Sequence, residues 1–229
     1  PLQRLQGLFA ARPFGQPVLI PARRASLSWL AAISVTAREW VVRKFPEILL
    51  FEGDPLSWDG ISADKAFSNF IETAKQGAQI RWFNSTSEFM RVGRALSAGK
   101  VAGVLADDSI PPRVRIMCFN IARYAKLSDC ALASFTTYRK STEVAWMRTR
   151  ALDVLEFVGT ATQRQGVLAD LKAGLLDTNE LIAHALPVTD WKRLTETELS
   201  AIFDATHREA EFGSGPMVRV VKDDLLPAA

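Results

Sequence analysis

Apolar residues along the chain recur mostly three and four positions apart, the spacing of one face of a helix. The clearest run follows Ser62: Ala63, Ala66, Phe67, Phe70, Ile71 and Ala74 share a face that ends at Gly77. Ser85 with Glu88 forms a capping box ahead of Phe89, Val92 and Leu96, and Gly99 stops that helix. Pro111 and Pro112 suit a first helical turn, where a missing N–H costs nothing, and the inner stripe is Val114, Met117, Cys118, Ile121 and Ala125. Ser128 caps a helix carrying Ala131, Leu132 and Phe135, and Val144, Arg148, Leu152 and Leu155 lie a turn apart within 141–158. Further helices are expected over 166–176, 178–186 and 195–211, the last opened by a second capping box, Thr195 with Glu198.

Upstream, Leu27, Leu30, Ala31 and Val41 follow a helical period to about Phe45, where Pro46 interrupts it. Gly53, Pro55 and Asp59-Gly60 mark 51–60 as a loop. The short apolar runs 80–83 and 101–106 fit either a strand or a brief helical piece. Gly213-Ser214-Gly215-Pro216 ends the helical pattern before a possible strand at 217–221. A βαβ rhythm is missing. The fold class is therefore all-α: eight or nine helices stacked as hairpins, in a solenoid-like layer or an irregular bundle.

Residues 1–25 break the periodicity. Pro13, Pro17 and Pro21 with Gly7 and Gly15 predict an extended arm, because proline fixes φ and removes a donor. The organisation expected is an extended basic arm over 1–25, a helical domain over 26–212 and a tail over 213–229. Charge sharpens the arm: Arg4, Arg12, Arg23, Arg24 and Arg38 precede the first acid, Glu39. An Arg-rich, acid-poor stretch with Ser26 and Ser28 is composed like an organellar transit segment, and equally like a docking arm.

Gly103-Val104-Leu105-Ala106-Asp107 recurs as Gly166-Val167-Leu168-Ala169-Asp170, a spacing near two helical-hairpin repeats. Between them, Ile116 to Phe135 reads IMCFNIARYAKLSDCALASF. Ala122, Ala125, Lys126, Leu127 and Asp129 in this run resemble one repeat of the FAST-kinase-like and octotricopeptide helical-repeat families. The resemblance covers about twenty residues. It implies an organellar, mitochondrial protein that binds RNA or sits in an RNA-rich assembly; an ordinary capped helical hairpin would carry the same letters.

Composition removes most chemistry. The net charge of +3 on 229 residues is no nucleic-acid signature by itself. No run of about 18 uncharged apolar residues could form a membrane span. Cys118 and Cys130 fit small buried residues in a reducing intracellular compartment, for their spacing matches no zinc pattern. There is no phosphate-cradling G-x-x-x-x-G-K-[ST] and no G-x-S-x-G elbow. His184 and His207 are the only histidines, and the acid pairs Asp107-Asp108 and Asp223-Asp224 fall near element ends, as solvated turns do. No catalytic residue, cofactor or metal ligand is assigned.

What remains is arginine. Arg113, Arg115, Arg123, Arg139, Lys140, Arg148 and Arg150 crowd the middle third, interleaved with Tyr124, Tyr138 and Trp146. Together with Arg23 and Arg24 they are the candidate contacts to RNA or to partner subunits, since guanidinium forks grip phosphates and carboxylates. Six tryptophans exceed what one small core needs, and Trp is enriched at interface centres. The leading expectation is a non-catalytic accessory subunit docking into a larger mitochondrial assembly of other protein subunits. An RNA-binding helical-repeat protein is the alternative, and an enzyme without a readable motif the third reading.

Overall fold

The computed structural model describes residues 2–11, 18–54, 57, 59–77, 85–176, 178–191 and 194–207. The described residues form thirteen α-helices and one two-stranded antiparallel pair, which bears out the all-α class. The chain divides into two compact units, Pro1–Met117 and Cys118–Ala229, with 1–25 included in the first. The expected strand at 217–221, the tail over 213–229 and the apolar run at 80–83 lie outside the described residues.

The first unit begins with α1 (Leu2–Phe9), β1 (Ala10–Ala11) and β2 (Val18–Leu19); Ala10 pairs with Leu19 and Ala11 with Val18. Among the described residues, the segment expected to be extended instead opens with a helix, and its strands are two residues long each. Its helix forms because Leu5 and Phe9, four apart, pack against the same apolar cluster as buried Ala10 and Leu19. A turn of 3-10 helix at Pro21–Arg23 leads into α2 (Arg24–Ile33) and α3 (Val35–Lys44). The single helical run expected over 26–45 is broken at Ser34, whose extended backbone (φ −121°, ψ 115°) lets its side chain cap α3 through the Ala37 N–H.

Pro46 opens a helix rather than ending one. It is the first residue of α4 (Pro46–Phe51), so the loop expected over 51–60 begins later. In α5 (Gly60–Lys75) the N-cap is Asp59, whose carboxylate accepts from the Ser62 N–H and O–H. Its six predicted apolar positions are all buried. The Ser85–Glu88 capping box opens α6 (Thr86–Ala95), and 101–106 proves helical as α7 (Lys100–Ala106). Leu27, Ala31, Trp40, Val41, Ile48, Leu49 and Ala66 make one buried cluster at the centre of α2–α5.

The unit boundary falls within α8 (Pro112–Ala125). The second unit continues with a 3-10 turn at Ser128–Cys130 and α9 (Ala131–Arg139), α10 (Ala145–Val158), α11 (Ala161–Lys172), α12 (Asn179–Val188) and α13 (Glu196–His207). Helix α10 packs on both α9 and α12, and α11 packs on α12 and α13. The 3-10 turn resets the helical phase, so Ala131, Ser134, Thr137 and Tyr138 face inward. Leu132, expected in the core, is consequently 70% exposed. Helix α11 starts at Ala161, earlier than expected, behind a third capping box in which Thr160 and Gln163 exchange hydrogen bonds.

The recurring pentapeptide occupies different places in the two units. Gly103–Asp107 closes α7, burying Leu105, whereas Gly166–Asp170 lies inside α11, where Val167 is buried instead. Identical letters have been set one residue out of phase.

Candidate functional site

Most of the candidate arginines are tied to groups of their own chain. In the first unit an Arg23 guanidinium nitrogen donates to the Leu8 carbonyl, and Arg24 Nε meets Glu52 Oε1 at 3.1 Å. Arg115 is buried, with Asp108 Oδ1 3.6 Å away. Arg113 is exposed near the start of α8.

In the second unit Arg148 is buried and its Nε donates to the Tyr138 carbonyl at 2.9 Å, tying α10 to α9. Arg139 forms a two-pronged pair with Asp170, Nε to Oδ2 at 2.9 Å and Nη2 to Oδ1 at 2.8 Å, and lies over the Phe135 ring. The Tyr138 hydroxyl donates to the same carboxylate at 3.1 Å. Burial and the nearby Asp170 charge push that phenol far above its ordinary value. Lys140 follows α9 and is half-buried. These groups border a cleft of about 230 Å³ lined by Tyr138, Arg139, Arg148, Asp170, Leu175 and Leu176.

The densest polar grouping centres on Asp153, a buried carboxylate in α10. His184 Nδ1 lies 2.6 Å from Oδ1, while Arg150 Nη1 and Arg123 Nη1 lie 2.9 and 3.4 Å from Oδ2. Burial alone would raise this carboxyl, but the His184 hydrogen bond and the His184, Arg123 and Arg150 charges hold it below its ordinary value. Sequence reasoning placed Arg123 and Arg150 among contacts to other molecules; they converge instead with His184 from α12 on one internal acid. An Asp–His pair is also the orienting half of a general base, but among the described residues this one has no Ser or Cys nucleophile in its hydrogen-bond set. Cys118 and Cys130 are buried, and burial pushes the Cys130 thiol up to about 12, so neither is held as a reactive thiolate. Among the described residues, no cluster of three or more metal-ligating side chains occurs.

What the surface offers instead is apolar. Helix α2 turns Leu27, Ser28 and Ala31 into the core. Its outer face carries Trp29, 77% exposed, and Ile33, 82% exposed, four residues apart on one side. Val35, 64% exposed, follows at the first position of α3, beyond the extended Ser34. No charged residue occurs between Arg24 and Arg38, so past Arg24 the helix is uncharged on both faces. Helices of that kind are ordinarily covered on both faces. Of the other tryptophans, Trp40 is buried, Trp191 is half-buried and Trp146 is exposed at 40%; Trp58 and Trp82 lie outside the described residues.

Comparison with known proteins brings no relative: no family model matches the chain, and no curated protein or solved structure matches it. The likeness of residues 116–135 to organellar helical repeats therefore rests on those residues alone. Among the described residues, no helix is long and apolar enough to cross a membrane.

Proposed function

We propose that the chain is a non-catalytic accessory subunit that docks onto another protein of a larger assembly through the outer face of α2 and the start of α3. The observation that carries this reading is the ledge of Trp29 and Ile33 on a helix already packed on its other side, with Val35 beyond Ser34. Covering large apolar side chains releases about 1.5–3 kcal/mol each, enough for three of them to anchor a partner. The internal pairing of Arg24, Arg123, Arg139 and Arg150 supports assembly over chemistry, because it leaves those charges engaged within the fold. The Arg-rich, acid-poor beginning of the chain supports a mitochondrial setting.

The test is the size of the native particle. In extract from its source, the wild-type chain should migrate far above 25.3 kDa, and the double variant Trp29→Ala, Ile33→Asp should shift towards the free chain. Both residues are exposed, so the circular dichroism spectrum and melting temperature should hold. Wild-type protein running as a monomer, or a variant that stays in the particle, overturns the reading.

One observation favours RNA contact as a second reading. Phe157 is exposed at 44%, with Arg123 5.4 Å and Lys126 6.0 Å from its ring centroid, a small stacking platform beside cations. It predicts single-stranded RNA binding that weakens steeply with salt and with Phe157→Ala plus Lys126→Ala. Binding indifferent to both sinks it.

A further inference from the structure

We propose that Ser26 is a phosphorylation site, the acceptor for an arginine-directed serine kinase that uses ATP. The chain around it reads Arg23-Arg24-Ala25-Ser26-Leu27. Kinases select substrates by charge pattern, and one whose approach is lined by acids takes cations three and two residues before the acceptor, with an apolar residue after it. Two other hydroxyls follow cations at both those positions, Thr142 behind Arg139-Lys140 and Thr195 behind Lys192-Arg193. An acid comes next in each, Glu143 and Glu196, and would be repelled by the acids that attract the arginines. Ser26 is followed by Leu27, and the first acid of the chain is Glu39.

Geometry adds access. Ser26 is exposed in the first turn of α2, and exposed Arg23 immediately precedes that helix. Arg24 is half-buried, with its Nε 3.1 Å from Glu52 Oε1. A kinase grips its substrate as extended chain, so this turn must open, release Arg24 from Glu52 and draw Leu27 out of the core cluster. The opening is confined to one turn at a helix end, where the first four N–H groups have no intrahelical partner to lose.

In the reaction the γ-phosphoryl group of ATP passes to Ser26 Oγ, ADP departs and the hydroxyl proton is released. The product carries about two negative charges. It stands three residues after Arg23 in a first helical turn, where the helix dipole favours an anion, so the turn closes again with the phosphate in place. The phosphate also lands on the docking face. Ser26, Trp29 and Ile33 are three and four residues apart, all exposed, and so share one stripe of α2. A partner covering Trp29 and Ile33 with apolar groups would strip water from the phosphate, so phosphorylation opposes docking. That consequence, unlike the acceptor site, rests on the docking reading above.

The test gives the full-length chain magnesium-ATP and the catalytic subunit of cyclic-AMP-dependent protein kinase. Phosphate should enter at Ser26, as mapped by tandem mass spectrometry, and Arg23→Gln should slow the transfer at least about tenfold. No transfer, transfer to another residue, or a rate indifferent to Arg23 overturns the acceptor site. In extract from the source, phosphorylated Ser26 should be at least about tenfold scarcer in the native particle than in the free chain. A Ser26 that is never phosphorylated in the extract overturns the proposal, and equal occupancy in the two pools overturns its effect on docking. A phosphorylated chain with no particle to join overturns the docking reading and leaves Ser26 as the acceptor.

Discussion

The two compact units are stabilised in different ways. In the first, the described buried residues are almost all apolar; the polar exceptions are Ser28 and Arg115, the latter paired with exposed Asp108, and the pairs Arg24–Glu52, Arg38–Asp59 and Lys75–Asp107 join partly exposed side chains. The second buries Ser134, Thr137, Arg148, Thr149, Asp153, Gln163 and Thr189, and gathers two arginines and a histidine around one carboxylate. Apolar packing tolerates exchange among residues of similar volume, whereas a buried polar network works only when each member is present. The Trp29–Ile33 face belongs to the unit whose interior needs few polar partners, while the second unit exposes apolar side chains of its own, Leu132 and Leu175 among them.

The contrast can be broken most sharply at Asp153. Removing it as Asp153→Ala takes the shared carboxylate from His184, Arg123 and Arg150, leaving only Glu156, 3.9 Å from Arg123, and should lower stability by about 2–4 kcal/mol in urea unfolding. Glu52→Ala in the first unit removes a partly exposed partner and should cost under about 1 kcal/mol. Equal costs would erase the distinction.

The pH dependence follows from the same group. Asp153 titrates below its ordinary value of 3.8 in the fold, held there by His184, Arg123 and Arg150. Its contribution is present above the unfolded value and is lost as pH falls through the lower folded one. The wild type should therefore lose stability below about pH 4, and Asp153→Asn should flatten that part of the limb. An unchanged acid limb in the variant would show that the lowered titration belongs elsewhere.

A smaller effect compares two glycines followed by the same four residues. A methyl group at Gly103 in α7 meets no atom within 4 Å, so Gly103→Ala should gain about 0.5–1 kcal/mol from helix propensity. At Gly166 in α11 the same methyl comes within 2.8 Å of the Phe135 ring, which lies against Arg139. Gly166→Ala should gain nothing or lose about 1 kcal/mol in thermal unfolding. Matching gains at both would mean that Phe135 yields freely.

How much of this was legible in the sequence depended on whether the cause was local. Helix α5 and the capping boxes at Ser85 and Thr195 were readable because each is fixed by residues within two turns. The box at Thr160 was missed because Gln163 takes the role more commonly given to Glu. Leu132 misled because the 3-10 turn before α9 shifts the phase after the pattern has been read. The N-terminal helix escaped because prolines dominate the segment, while Leu5 and Phe9 pack only once the core exists to receive them. The Asp153 centre brings together α8, α10 and α12: Arg150 is an i, i+3 neighbour of Asp153, but Arg123 and His184 lie thirty or more residues away and reach it through tertiary packing, which no local spacing reveals.

The central claim is that Trp29 is exposed in the chain and covered in its assembly. Hydroxyl-radical footprinting of the isolated chain and of the native particle reads this directly. The account predicts strong oxidation of Trp29 in the isolated chain and at least a fivefold slower rate in the particle, with buried Trp40 protected in both. Equal oxidation of Trp29 in the two samples would contradict it.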